Sequence, residues 1–250
     1  MNIEQYSGYS NCLGQNFEYK IYGHGGQPVL FIPCQDGRFF DFENFKMTDY
    51  WRPWIDAGKC VVFAIDTIDA ETWSNKDGDP RWRSERYEAW IQFIVQEMVP
   101  IMQNYARERG FDVDEKGIMT YGASLGAAHA AILYFRFPFI FKKTLALSGI
   151  YTVDYGFDGY MDELLYNSSP VHFLANMPAD HFYVEQYKKN QGIICVGQGA
   201  WEIPDYTRHL QSITDRLGIP MWYDYWGFDC VHDWDWWYKQ VAYFLPKLFD

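Results

Sequence analysis

Gly117-Ile118-Met119-Thr120-Tyr121-Gly122-Ala123-Ser124-Leu125-Gly126-Ala127-Ala128-His129-Ala130-Ala131-Ile132-Leu133 is the stretch on which the reading of this chain turns. An apolar run with β-branched residues leads into Gly122-Ala123-Ser124-Leu125-Gly126, a G-x-S-x-G, and small helix-forming residues follow. The pattern predicts strand, sharp turn, helix. A serine hydroxyl is a weak nucleophile. It reacts when a strained turn projects it toward a base, with helix N-terminal N–H groups behind it to receive negative charge on oxygen. Glycines on either side let strand and helix approach closely.

Working outward, β-rich runs alternate with helical patterns. The runs are 16–22, 28–33, 60–65, 117–122, 144–148, 192–196 and 221–226. Several, such as Val29-Leu30-Phe31-Ile32 and Cys60-Val61-Val62-Phe63-Ala64-Ile65, are continuously apolar, as expected of strands buried on both faces of a parallel sheet. Helical patterns cover about 80–106, 125–135, 205–217 and 234–249. In the first, Trp90, Phe93, Ile94, Met98 and Ile101 share one stripe, and Pro100 should kink or split the helix. The short Gly23–Gln27 connection predicts a hairpin between the first two runs, and so an antiparallel N-terminal edge. The expected architecture is α/β: a mostly parallel, doubly wound sheet with helices on both faces. No linker, repeat or biased tract divides residues 1–250, so one domain is expected. The stretch from about 151 to 190 breaks the rhythm and reads as an irregular insertion, either lining a site or running over the surface.

Composition narrows the function. Lys plus Arg number 21 against 33 Asp plus Glu, a formal charge of −12. No basic run exceeds Lys142-Lys143 or Lys188-Lys189, which argues against nucleic acid and against anionic membrane surfaces as partners. Phe 19, Trp 11 and Tyr 20 make one residue in five aromatic. No apolar run approaches the roughly 20 residues of a membrane span. The polar start, Met1-Asn2-Ile3-Glu4-Gln5-Tyr6, lacks the pattern of a signal peptide. Five widely spaced cysteines without C-x-x-C argue against a disulfide framework or structural zinc. A reduced, cytoplasmic protein is the expectation.

A nucleophile at Ser124 needs a base and an acid, in the chain order Ser, Asp/Glu, His for this kind of sheet. His24 precedes the serine, and His129 lies on the helix just after it. His172, His181 and His209 end no strand. His232 follows the last β-rich run and precedes the last helix, where the general base belongs. Glu202 is the first carboxylate after the 192–196 run. Asp205 is its nearest rival, and Asp229 and Asp233 share the histidine's own loop. The acid would hold the His232 tautomer and stabilise the imidazolium. Oxyanion donors are expected from the Leu125 backbone N–H and, in the Cys34-Gln35-Asp36-Gly37-Arg38 loop, from Gln35 or Asp36. His24-Gly25-Gly26 lies one strand too early for that role and reads as a turn. Cys34 has no elbow around it and reads as a buried thiol. His232-Asp233-x-Asp235 lacks the ligand set for a metal, so no metal and no cofactor is expected. Trp201, Trp226, Trp234 and Tyr151 are candidates for the substrate pocket, with Tyr155 and Tyr160 nearby.

Together these segments resemble the putative-esterase family of α/β-hydrolases, which includes esterase D (S-formylglutathione hydrolase), feruloyl and acetyl-xylan esterases, enterobactin esterases and mycobacterial mycolyltransferases. The resemblance runs through Tyr22–Gly26 into Pro28–Pro33, Cys34–Phe39, Gly122–Gly126, Leu145-Ala146-Leu147-Ser148-Gly149, Gly197–Glu202, Tyr225-Trp226-Gly227 and His232-Asp233-Trp234. It implies the α/β-hydrolase fold and a serine hydrolase using Ser124, His232 and an acid whose usual place matches Glu202. The early loop departs from the family's usual Leu-His-Gly or Leu-Asp-Gly. The expected function is a serine esterase acting on a small-molecule or carbohydrate ester through an acyl-enzyme. The alternatives are acyl transfer to a sugar or other alcohol, and a non-catalytic carbohydrate-binding protein on the same scaffold.

Overall fold

Alternating side-chain faces organise the sheet. The computed structural model describes residues 1–249, and among them eight strands form one sheet. They are β1 (Ile3–Ser10), β2 (Gln15–Tyr22), β3 (Gln27–Ile32), β4 (Cys60–Ile65), β5 (Ile118–Ala123), β6 (Phe141–Leu147), β7 (Gln191–Val196) and β8 (Met221–Tyr225). Their spatial order is β1-β2-β4-β3-β5-β6-β7-β8. All pairings from β4 to β8 are parallel, and the β1–β2 and β2–β4 pairings are antiparallel. The α/β-hydrolase architecture, with its antiparallel N-terminal edge, is therefore as expected.

The edge is built differently from the expected hairpin. Strand β2 pairs with β1 and β4, not with β3. The glycine turn after Tyr22 carries the chain across β4, where Gly26 (φ +86°) passes so close to the Gly58 carbonyl that a Cβ would sit 2.3 Å from it. Burial explains the choice. Every residue of β3 is buried, so it takes an interior place between β4 and β5. The polar Ile3–Ser10 segment, largely exposed, forms the edge instead.

Odd and even residues of the central strands face opposite layers. Leu30, Ile32, Val61, Phe63 and Ile65 pack under α2 (Pro80–Phe93) and α3 (Val99–Glu108). Val29, Phe31, Val62, Ala64 and Tyr121 pack against α1 (Met47–Asp56) and α6 (Trp234–Phe249). Toward β7, residues of α4 (Leu125–Arg136) and α5 (Pro204–Leu217) cover Ala146 and Ile194. The long 80–106 pattern is divided just before Pro100 into two α-helices, as expected of a proline there. It passes through a π-helical stretch, Ile94–Met98, and Pro100 sits in the first turn of α3. There the missing N–H removes no bond that an α-helix would need. The 151–190 stretch is not structureless. It carries short helices at Asp154–Phe157, Glu163–Asn167, Pro170–Phe173 and Phe182–Tyr187 between β6 and β7. No helix among the described residues is long and apolar enough to cross a membrane.

Candidate active site

Strand ends converge at the site. Ser124 leaves the C-terminal end of β5 with φ +56° and ψ −127°, a conformation that L-residues resist. Its N–H is held by the Leu147 carbonyl of β6 at 2.9 Å. The flanking glycines are sterically required. A Cβ on Gly122 would lie 2.3 Å from the Gly126 carbonyl oxygen, and one on Gly126 would lie 2.3 Å from that of Ile32. The serine thus stands at the head of α4 with the Leu125 N–H beside it.

Ser124 Oγ lies 2.9 Å from Nε2 of His232, and Nδ1 of His232 lies 3.3 Å from Oε2 of Glu202. A carboxylate only accepts hydrogen bonds, so Nδ1 carries the proton and Nε2 is free to accept the serine's. Glu202 is nearly sealed, its side chain 1% exposed, whereas His232 is 25% exposed and open to the site. The loops carrying the two are laced together. The His232 N–H donates to the Ala200 carbonyl at 3.1 Å, and the Gly199 N–H donates to that of Cys230 at 2.8 Å. The ring edge of His232 packs on Trp237, with centroids 5.0 Å apart.

Two residues that the sequence reading had not placed in the site complete this arrangement. Ser148, with φ +57° just past β6, donates to Oε1 of Glu202 at 2.6 Å and accepts from the Trp237 indole at 3.1 Å. The carboxylate is therefore bonded on both oxygens. The signal was a Ser-Gly pair at the C-terminal end of the strand beside the elbow, present in sequence but without an assigned partner.

The rival acids lie elsewhere. Asp205 is 88% exposed and paired with Arg208, and the Asp233 carboxylate accepts from the Trp234 N–H. Burial, with the Asp41 and Asp69 carboxylates adding to it, pushes the Cys34 thiol up to about 12, so it is no thiolate at neutral pH.

Around Ser124 lies a cavity of about 220 Å³ lined by Gln35, Leu125, Ile150, Tyr155, Trp201 and Ile203 together with Ser148, Glu202 and His232. Trp201 is 88% exposed at its rim, with φ +66°. The other three pocket candidates lie outside this lining. Tyr151 is fully buried, its ring packed beneath Gly149. Trp234 stacks on Phe45 at 4.3 Å, and Trp226 packs edge-on against Trp236 and Tyr243. All three serve packing because their rings find aromatic or core partners on the α6 side of the sheet or beneath the loop. Of the two loop residues expected as oxyanion donors, Gln35 faces the cavity, whereas the Asp36 N–H is directed at Oδ2 of Asp69, 3.2 Å away. A larger hollow, about 490 Å³ between Arg136, Tyr166, Phe173 and Phe182, holds none of Ser124, Glu202 and His232.

The family model described as putative esterase matches residues 10–248. The chain belongs to the putative-esterase family. As a member it is an enzyme of the serine-esterase class with an α/β-hydrolase fold. No curated protein matches the chain. Among solved structures it is similar to a ferulic acid esterase (15% identity, 99% of this chain and 98% of that one, TM-score 0.77). It is also similar to the S-formylglutathione hydrolase FrmB of Staphylococcus aureus (11% identity, 100% and 97%, TM-score 0.68). A third, MPT51 (FbpC1) of Mycobacterium tuberculosis, matches at 13% identity over 100% and 98%, with TM-score 0.67. These likenesses are of fold. What this putative-esterase family member does with its own side chains rests on the geometry above.

Proposed function

We propose that this protein is a carboxylic-ester hydrolase in which Ser124, His232 and Glu202 act as a triad through an acyl-enzyme. The observation that carries the reading is the 2.9 Å contact of Ser124 Oγ with His232 Nε2 at a serine held at positive φ. In this reading His232 takes the Ser124 proton as Oγ attacks the ester carbonyl. Glu202 stabilises the imidazolium, and the proton passes to the departing alcohol. The Leu125 and Gln35 backbone N–H groups receive the developing oxyanion. Water, activated by the same histidine, then releases the acid and restores the Ser124 hydroxyl.

The small, partly apolar cavity suits a compact acyl group, and Trp201 at the rim offers a flat face to an aryl or sugar portion. A ferulic acid esterase among the similar folds agrees with an aromatic or carbohydrate-linked ester as substrate. The test is turnover of short p-nitrophenyl esters and of feruloyl esters by wild type and Ser124→Ala. The proposal expects the variant to lose about a thousandfold or more in kcat. Equal rates in the two would remove Ser124 from the mechanism.

A further inference from the structure

Beneath the site lies a buried polar chain that the triad does not use. His129, fully buried on α4, is placed between Tyr87 and Asp69: its Nδ1 is 2.8 Å from the Tyr87 hydroxyl and its Nε2 is 3.0 Å from Oδ1 of Asp69. The Asp69 carboxylate accepts only, so Nε2 carries the proton and Nδ1 accepts from Tyr87. The ring is walled by Trp73 and Trp90, with centroids at 5.6 and 5.0 Å. Asp69 itself is 2% exposed. Keeping a carboxylate there is costly unless its hydrogen bonds hold something that matters.

What it holds is the early loop. Oδ2 of Asp69 accepts the backbone N–H of Asp36 at 3.2 Å, and Asp36 has φ +58°, a strained value for a residue with a Cβ. Ser74, from the same segment as Asp69, bonds the side chains of both Gln35 and Asp36 at 2.7 and 3.0 Å. One carboxylate therefore spans two elements. Through His129 it grips α4, whose first residue is Leu125. Through Asp36 it fixes the peptide that follows Gln35. Those two residues carry the two N–H groups assigned to the oxyanion.

We propose that Asp69 and His129 are positioning residues that set the distance and angle between the Leu125 and Gln35 N–H donors. The inference rests on the acyl-transfer reading above. It says more than that reading, because it places part of the rate in a pair that never meets substrate. Removing the clamp frees Asp36 to relax from its strained φ and swings the Gln35 N–H away, while Ser124, His232 and Glu202 keep their contacts.

The experiment compares each ester with its thionoester, in which a larger and weaker acceptor, sulfur, replaces the carbonyl oxygen and gains less from the two donors. Asp69→Ala is expected to lower kcat on the ester about 10- to 100-fold, the range of a lost or misplaced oxyanion donor, with KM within about threefold. The ester-to-thionoester rate ratio should fall by about the same factor, the Leu125 N–H still favouring oxygen. Asp69→Asn keeps an oxygen for the Asp36 N–H and turns its amide N–H toward His129 Nε2, which accepts it once the imidazole takes the Nδ1–H tautomer and donates to the Tyr87 oxygen, so both ends of the clamp persist and most of that ratio should be recovered. His129→Leu, which frees the other end of the clamp, provides a second loss variant if the alanine protein does not fold. An unchanged ratio in a folded Asp69→Ala or His129→Leu protein overturns the positioning role, as does an Asn variant whose ratio falls as far as alanine's. Ser124→Ala in the same assay separates the two ideas. If it retains activity the underlying reading fails, whereas an inactive Ser124→Ala beside an unaltered ratio in the clamp variants refutes only the clamp.

Discussion

Ser148→Ala removes the hydroxyl that holds the acid, and it should slow the enzyme. The Ser148 Oγ–Glu202 Oε1 bond is short, 2.6 Å, and the carboxylate it serves is 1% exposed. A hydrogen bond to a charged, buried group is worth about 1.5–3 kcal/mol. The Trp237 indole loses its acceptor in the same substitution. For a chain of this size about 1 kcal/mol moves Tm by about 2–4 °C, so a fall of about 3–12 °C is expected. The kinetic effect follows from what Glu202 does. Its contact with His232 is already long at 3.3 Å, and it must face Nδ1 squarely when the ring becomes cationic. With one oxygen unheld the carboxylate can turn, and each 1.4 kcal/mol lost in the transition state is about tenfold in rate. We expect kcat on p-nitrophenyl acetate to fall about 10- to 100-fold with KM within about twofold, since the hydroxyl sits behind the acid. Steady-state kinetics and calorimetry on the same preparation measure both. A Ser148→Ala protein with kcat within about twofold and Tm within about 1 °C of wild type would refute the argument that Ser148 anchors the acid.

Gly126→Ala puts a Cβ 2.3 Å from the Ile32 carbonyl oxygen, so the elbow must deform; soluble expression or activity should drop sharply, and a fully active variant would show that the packing at the elbow is looser than described. Trp201→Gly relieves a left-handed φ of +66° worth about 1–2 kcal/mol, of which the entropy lost on ordering a glycine takes back about 0.5–1 kcal/mol, so Tm should rise by about 2–4 °C, while KM for feruloyl esters rises about fivefold and KM for acetate esters barely moves; a fall in Tm with both KM values unchanged would contradict both halves. Because the Cys34 thiol stays protonated until pH approaches about 12, iodoacetamide at pH 7.5 should leave activity intact; rapid inactivation traced to Cys34 by peptide mapping would count against that assignment.

Much of the scaffold was legible because its signals are local. The continuous apolar runs of β3 and β4 announce two-sided burial, and the G-x-S-x-G can only be accommodated where strand and helix nearly touch, as the contacts at Gly122 and Gly126 show. Glu202 and His232 were candidates from strand order together with the Ser–acid–His chain order, and the structure sets His232 against Ser124 and Glu202 against His232. What was not legible depends on partners distant in sequence. Strand β1 carries no apolar stripe, since its faces are mostly exposed, and only backbone pairing with β2 reveals it. The β2–β4 pairing replaces the nearer β2–β3 hairpin because β3 is wanted in the interior. Ser148, Asp69 and His129 look ordinary in sequence, and their roles arise from contacts spanning 54, 33 and 60 residues. The aromatic excess misled in detail. Trp226 and Trp234 pack on other aromatic rings and Tyr151 is buried in the core, and only Trp201 of the four reaches the cavity.

The central claim is that Ser124 is a nucleophile made reactive by His232. It is tested most directly by treating the folded protein with a fluorophosphonate and mapping the adduct by peptide mass spectrometry. The account predicts one adduct, on Ser124, formed rapidly in wild type and slowed about a hundredfold or more in His232→Ala. An adduct on another residue, or labelling of Ser124 at the same rate with and without His232, would contradict it.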